Sequence, residues 1–404
     1  MLDAYLAALG GLALVLGLAS RKLRELPVSE PLMALALGVL LGPAVLGVLE
    51  LPGTDRDATL AIGARVALAL SVMAVALRFP ISEIRSRLGP VVLLTVVAML
   101  AMAAITTGLS ALLLGLPAAG AWLLGAALAP TDPVLSSSIV SGDPAERDLP
   151  LRLRLLISIE SAANDGLAAP LVTLGVVAVH ARSLWQGAGG ALAALLGAAV
   201  AGGVLGHAAG RLVEVSERHR DIEHSAFLAL TLSLTALVLG VSHLVHADAV
   251  LAVFVAGLAY NHAITRAERS EEWEVQEAIN RFLVLPVFTL FGVALPWGAW
   301  ADLGWRGPAF VVAVLLLRRL PLALALGRPL GLRTEEAAFL GWFGPIGVAA
   351  LLYLTESTLE GALTEPMWAA GSLVIVASVV VHGVTATPAR RRYARRHRED
   401  ARGS

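Results

Sequence analysis

Apolar residues run along this chain in long, nearly unbroken blocks separated by short polar stretches, without the one-faced spacing of a soluble helix or strand. Blocks of roughly 17 to 25 apolar residues are long enough to cross a bilayer as helices. Thirteen can be marked, at residues 4–20, 31–49, 58–77, 90–114, 118–141, 151–179, 187–210, 222–243, 246–264, 275–295, 307–327, 334–356 and 365–387. The pattern predicts an all-α polytopic membrane protein with about 13 transmembrane helices.

Basic residues test that count, because cytoplasmic loops carry more Lys and Arg than loops on the other side. One alternating set of loops holds Arg21, Lys22 and Arg24; Arg78, Arg85 and Arg87; Arg147, Arg152 and Arg154; Arg211, Arg218 and Arg220; Arg266, Arg269 and Arg281; Arg328 and Arg333; and the tail from Arg390. The other set offers little beyond Arg56, Arg182 and Arg306. The expected orientation puts the N-terminus outside and the C-terminus in the cytoplasm, in a prokaryotic inner (plasma) membrane. Only Asp3 precedes the first block and the basic cluster follows it, the reverse of a signal peptide, so it reads as a retained helix.

Composition sharpens the picture. At 57% hydrophobic and 15% charged, with mean hydropathy +0.78, the chain lies outside the range of soluble globular proteins. The net charge of -1 attracts no nucleic acid, and the absence of cysteine excludes thiol catalysis and Cys-ligated metal. No polar stretch is long enough for a soluble domain, and no cofactor is expected. The basic tail at residues 389–404 reads as a topology anchor against anionic lipid. Small-xxx-small pairs such as Gly38 with Gly42 and Gly202 with Gly206 permit close helix packing.

Against this background two polar motifs stand out. In span five, Pro130 and Pro133 lack amide hydrogens and push Ala129 and Asp132 out of the α region, so the helix should break near residues 129–132. Asp132 would then cap a second half-helix with Pro133 at its first position. In span six, regular helix should carry Glu160-Ser161-Ala162-Ala163-Asn164-Asp165-Gly166. Residues four apart share a face, so Ser161 with Asp165 and Glu160 with Asn164 form two polar pairs about 100° apart. The two carboxylates cannot both point into one small cavity.

A carboxylate at mid-membrane costs about 2.5 to 3.5 kcal/mol on insertion scales, so these acids argue for a task. Arg318 and Arg319 lie too deep in span eleven to be loop residues and need a buried counter-charge. Glu160 is assigned to Arg319, with Arg318 as the alternative. Asp165 is left as the unpaired, titratable acid, with Asp132, Thr131 and Ser161 supplying further oxygens for a hard monovalent cation such as Na+. Span twelve is interrupted by Gly341, Gly344, Pro345 and Gly347 much as span five is by its prolines. Paired interrupted helices point to the binding site of an inverted-repeat transporter, with spans one to six and eight to thirteen as the repeats.

The Thr131-Asp132-Pro133 motif, followed by Glu160-Ser161-x-x-Asn164-Asp165-Gly166, resembles the NhaP and NHE branch of the monovalent cation:proton antiporters. Phe288 to Pro296, Leu315 to Leu324, Gly341 to Ala349 and His382 to Pro388 extend the resemblance along essentially the whole chain. It implies an NhaA-like antiporter fold in which Asp165 alternates between ion and proton while Thr131, Asp132 and Ser161 complete the site. It implies that Asn164 marks electroneutral exchange, where electrogenic relatives carry a second acid. It also implies a homodimer, with core-domain helices at about residues 90–179 and 307–388 and dimerisation-domain helices at about 1–78 and 187–295. One departure concerns the Trp342 to Gly347 stretch, where relatives often carry an arginine and this chain has none.

The expected function is exchange of Na+, with Li+ tolerated, for protons by alternating access, serving pH homeostasis; potassium is the runner-up ion. A cation channel is the second class, disfavoured by the lack of a filter-like tract. An intramembrane enzyme is the third, disfavoured because no nucleophile-elbow pattern surrounds Ser161. His243 and His246 with Asp248 lack metal-ligand spacing, and the two histidines read as surface residues.

Overall fold

The computed structural model describes residues 2–18, 28–51, 56–132, 135–219, 227–263 and 283–403. Pro133 and the basic loop residues Arg21, Lys22, Arg24, Arg220, Arg266, Arg269 and Arg281 lie outside them. The described residues form helices and connections, with no strand among them. In chain order the principal helices are α1 (Leu2–Leu18), α2 (Glu30–Leu41), α3 (Arg56–Arg78), α4 (Leu88–Leu114), α5 (Ala118–Ala127), α6 (Ser137–Val140), α7 (Leu151–Leu167), α8 (Ala169–Val179), α9 (Leu184–His219), α10 (Phe227–Leu244), α11 (Ala249–Ala263), α12 (Leu283–Val293), α13 (Arg306–Leu317), α14 (Leu320–Leu326), α15 (Thr334–Trp342), α16 (Val348–Leu359) and α17 (Glu365–Gly403).

Each apolar block contains one helix or an interrupted pair. Six continuous stretches are long and apolar enough to cross a membrane by length and composition, among them Arg56–Arg78, Leu184–Ser216 and Glu365–Arg396. Spans five and twelve fall short of that length because each is split, into α5 with α6 and α15 with α16. Span six also pauses once, at Ala168, where Pro170 in the first turn of α8 breaks the ladder. Glu160 to Asp165 remain within the regular helix α7. The last helix runs past residue 387, through Pro388 and into the basic tail.

α3 is the hinge of the packing. Ala69, Met73 and Leu77, spaced by four, join the smaller apolar cluster formed with α9, α10 and α11. Leu68, Val72 and Val75 on its other side join the main core with α5, α7 and α16. α9 meets α11 along its small residues: a Cβ at Gly202 would stand 2.2 Å from the Ala252 carbonyl oxygen, and one at Gly206 2.2 Å from that of Ala256. Larger side chains would force these backbones apart.

The apolar exterior fits a lipid solvent. Leu192, Leu196, Val200 and Val204 form an exposed stripe along α9, and Trp185, Trp297 and Trp305 are exposed at the arginine-poor end of the bundle. Aromatic residues at such ends settle at the membrane–water interface.

Candidate functional site

The two interrupted spans cross where both are unwound. α5 ends at Ala127 and the backbone leaves the helix through Asp132, while α15 ends at Trp342 and residues 343–347 are non-helical. The Asp132 amide donates to the Pro345 carbonyl at 2.8 Å and the Ile346 amide to Ser378 Oγ at 2.7 Å. Freed backbone groups at membrane depth are thus satisfied within the protein, as a water-free solvent demands.

Asp132 is wholly buried and serves both half-helices. Its Oδ1 accepts the Leu135 amide at 3.1 Å and its Oδ2 the Val348 amide, the first of α16, at 2.5 Å. The Leu135 amide is the third after Asp132, and the Ser136 amide donates to the Asp132 carbonyl at 3.3 Å, so Asp132 caps the half-helix that follows it, as expected. Its carboxylate also meets a second positively polarised helix start, that of α16, which the sequence did not indicate. Gly347 is required here, since a Cβ would lie 2.1 Å from Asp132 Oδ2.

Arg318 answers the opposite ends. Its Nη1 donates to the carbonyls of Leu128, Ala129 and Pro130 at 2.5, 3.1 and 3.2 Å, and its Nη2 to that of Gly344 at 2.5 Å. Those carbonyls are the unpaired acceptors left where α5 and α15 stop. Of the two candidate arginines, Arg319 is the one that reaches Glu160, with Nη1 and Nη2 at 2.6 and 2.8 Å from the two carboxylate oxygens. Its Nε donates to the Leu340 carbonyl at 3.0 Å. A Cβ at Gly344 would collide with this guanidinium arm, 2.2 Å from Arg319 Cδ.

Asn164 links the pair to the unwound strand. Its Nδ2 donates to Glu160 Oε1 at 3.1 Å and to Thr131 Oγ1 at 3.0 Å, while its Oδ1 accepts the Thr131 amide at 3.2 Å. Thr131 Oγ1 lies 2.9 Å from Ser161 Oγ. Thr131, Ser161, Asn164, Glu160 and Arg319 therefore form one continuous, buried network. Asp165 stands on the face of Ser161, one turn along α7. It is 0% exposed, and neither of its carboxylate oxygens has a hydrogen-bond partner among the described residues. A buried carboxyl so placed is either neutral or in need of a counter-charge.

The sodium/hydrogen exchanger transmembrane family profile matches residues 10–391. The chain belongs to the sodium/hydrogen exchanger family. It is 30% identical over 321 residues to Na(+)/H(+) antiporter 2 of Zygosaccharomyces rouxii, covering 75% of this chain and 39% of that protein. Over 345 residues it is 28% identical to the Na(+)/H(+) antiporter of Saccharomyces cerevisiae, covering 80% and 34%. This exchanger-family chain thus spans well under half the length of both. Its fold is that of the sodium proton antiporter MjNhaP1 from Methanocaldococcus jannaschii, with TM-score 0.77 and 19% identity over 95% of this chain and 96% of that one.

Further contacts around the candidate site were not indicated by the sequence. The Tyr353 hydroxyl donates to the Asp165 backbone carbonyl, tying α16 to the turn that holds the acid. His382 lies 2.9 Å from the Trp342 carbonyl through Nε2 and 3.1 Å from Ser378 Oγ through Nδ1, bracing the end of α15. Ser378 and His382 are four apart in an apolar span, a polar pair that could have flagged them. Tyr353 carried no such signal, since a lone tyrosine in an apolar block reads as core. His243 and His246 are exposed as expected, whereas Asp248 turns inward, its Oδ1 accepting the Leu251 amide at 2.6 Å.

Proposed function

We propose that this protein exchanges Na+, with Li+ tolerated, for protons across the membrane, one cation against one proton at Asp165. The observation that carries the reading is the buried Asp165 carboxylate without a partner, next to an otherwise satisfied network. Asp165 supplies the charge for the ion, and Ser161, one turn before it on α7, and Thr131, on the unwound stretch of span five, supply hydroxyl oxygens. Asp132 adds a negative charge to the crossing, and each of its oxygens, which accepts one backbone amide, keeps a second lone pair to offer the ion. The names of the fungal relatives support sodium as the cation.

Exchange follows from competition. The site holds a proton or a cation, and the empty, charged site does not cross. Asn164 is uncharged and fully used as a clamp, so the cycle moves no net charge. Glu160 and Arg319 neutralise each other and take no part in proton transfer. In this reading the N-terminus faces outward and the C-terminal tail lies in the cytoplasm at a plasma membrane. The chain works as a homodimer in which helices about the crossing move against the rest.

The test is a panel of alkali chlorides added to proteoliposomes carrying a pH dye. Dye recovery on adding Na+ and Li+, with none on adding choline, supports the proposal. Recovery on K+ alone would reassign the cation, and ion flux without counter-movement of protons would make the protein a channel.

A further inference from the structure

On the arginine-poor side of Asp165 lies a cavity of about 170 Å³, bordered by Arg65, Asp248, Tyr353, Glu356, Ser357 and Glu360. It has room for roughly five waters at about 30 Å³ each. Three carboxylates and one guanidinium line it, so its own side chains leave it short of positive charge. Arg65 Nη2 sits 2.6 Å from Glu356 Oε1, and Asp248 is anchored at the start of α11. Glu360 also lines the cavity; burial, then the neighbouring Glu356, raises its carboxyl above the usual carboxylate range, against the opposing pull of His180 and Arg182.

Two further features point to a ligand. Ser357 is 1% exposed, and its Oγ, at the cavity wall, has no hydrogen-bond partner among the described residues. Tyr353 borders the same cavity and donates its hydroxyl to the Asp165 carbonyl, so this space abuts the turn that carries the exchanging acid. Tyr353, Glu356 and Ser357 are three and four apart on α16 and share one face.

We propose that the cavity is an antechamber, a second and transient site for a monovalent cation held by Asp248, Glu356 and Ser357, from which displacement of Tyr353 passes the ion to Asp165. Arg65 is the internal substitute: it balances Glu356 while the chamber is empty and yields to the arriving ion. No group of three His, Cys, Asp or Glu side chains able to hold a metal occurs among the described residues. The occupant is a partly hydrated alkali ion, held by hard oxygen ligands.

The inference rests on Asp165 as the exchange site, and its test separates the two. The chain has no cysteine, so Thr173→Cys at the cavity rim gives a single thiol, with Ala169→Cys as a second reporter should the first fail to fold. Its modification by a membrane-impermeant methanethiosulfonate is timed in Na+ and in choline at equal ionic strength. The expected result is modification at least about three-fold slower in Na+, retained with Asp165→Asn, and abolished by Asp248→Asn or Glu356→Gln. Equal rates in Na+ and choline, or protection that disappears with Asp165→Asn, would overturn the antechamber. The exchange site is judged separately, by whether Asp165→Asn still transports.

Discussion

Asp132 and Arg318 hold opposite polarities of one helix crossing: the carboxylate takes the amides of Leu135 and Val348, and the guanidinium takes the carbonyls of Leu128, Ala129, Pro130 and Gly344. Neither residue needs an ion to be satisfied. Asp132→Asn keeps one acceptor oxygen and sets an NH2 against the other amide. A buried amide left unpaired costs about 1–3 kcal/mol, so the variant should melt earlier than the parent in detergent. Arg318→Lys, a point charge unable to reach four carbonyls, should lose as much. Unchanged melting in both would refute the capping roles.

Glu160 and Arg319 form a two-pronged buried pair, and removing one partner strands the other. Each of Glu160→Gln and Arg319→Gln is expected to destabilise by about 3–5 kcal/mol, with the double variant far less damaged than the sum. A double-mutant cycle by reversible denaturant unfolding measures this. Simple additivity would show that the pair is not coupled.

Asn164 donates to Glu160 and Thr131 with the same NH2 group. Asn164→Asp removes both donations and puts a second carboxylate 3.1 Å from the Glu160 Oε1 position. The expected outcome is a less stable protein. In the unmodified protein, flux should not respond to a potassium-diffusion potential set with valinomycin. A potential-dependent rate would contradict charge-neutral exchange.

Much of this was legible in the sequence, for local reasons. Pro130, Gly344 and Pro345 mark the breaks because a missing amide or a missing Cβ acts within one turn. The faces of Glu160 with Asn164 and Ser161 with Asp165 follow from helical period alone. Contacts that depend on packing were not legible. The bond from Val348 to Asp132 spans 216 residues, and only the crossing reveals that the acid caps a second helix. The choice between Arg318 and Arg319 likewise turns on which side of span eleven faces α7. The Tyr353 bond depends on where α16 lies against α7, which no period encodes.

Under the proposed exchange, competition at one carboxyl gives the pH dependence a definite form and sign. Protons occupy Asp165 as pH falls, so more Na+ is needed to displace them. With equal pH on both sides, the apparent KM for exchange of radiolabelled Na+ should rise about tenfold for each unit of pH on the acid side, with the maximal rate unchanged. A falling maximal rate at constant KM would mean that protonation acts elsewhere.

The central claim concerns one acid, and Asp165→Asn in proteoliposomes tests it most directly, since the amide keeps the shape and removes the charge. The account predicts a folded protein in which Na+ addition no longer moves protons, measured with a pH dye beside the unmodified protein. Proton movement at the normal rate in that variant would contradict it.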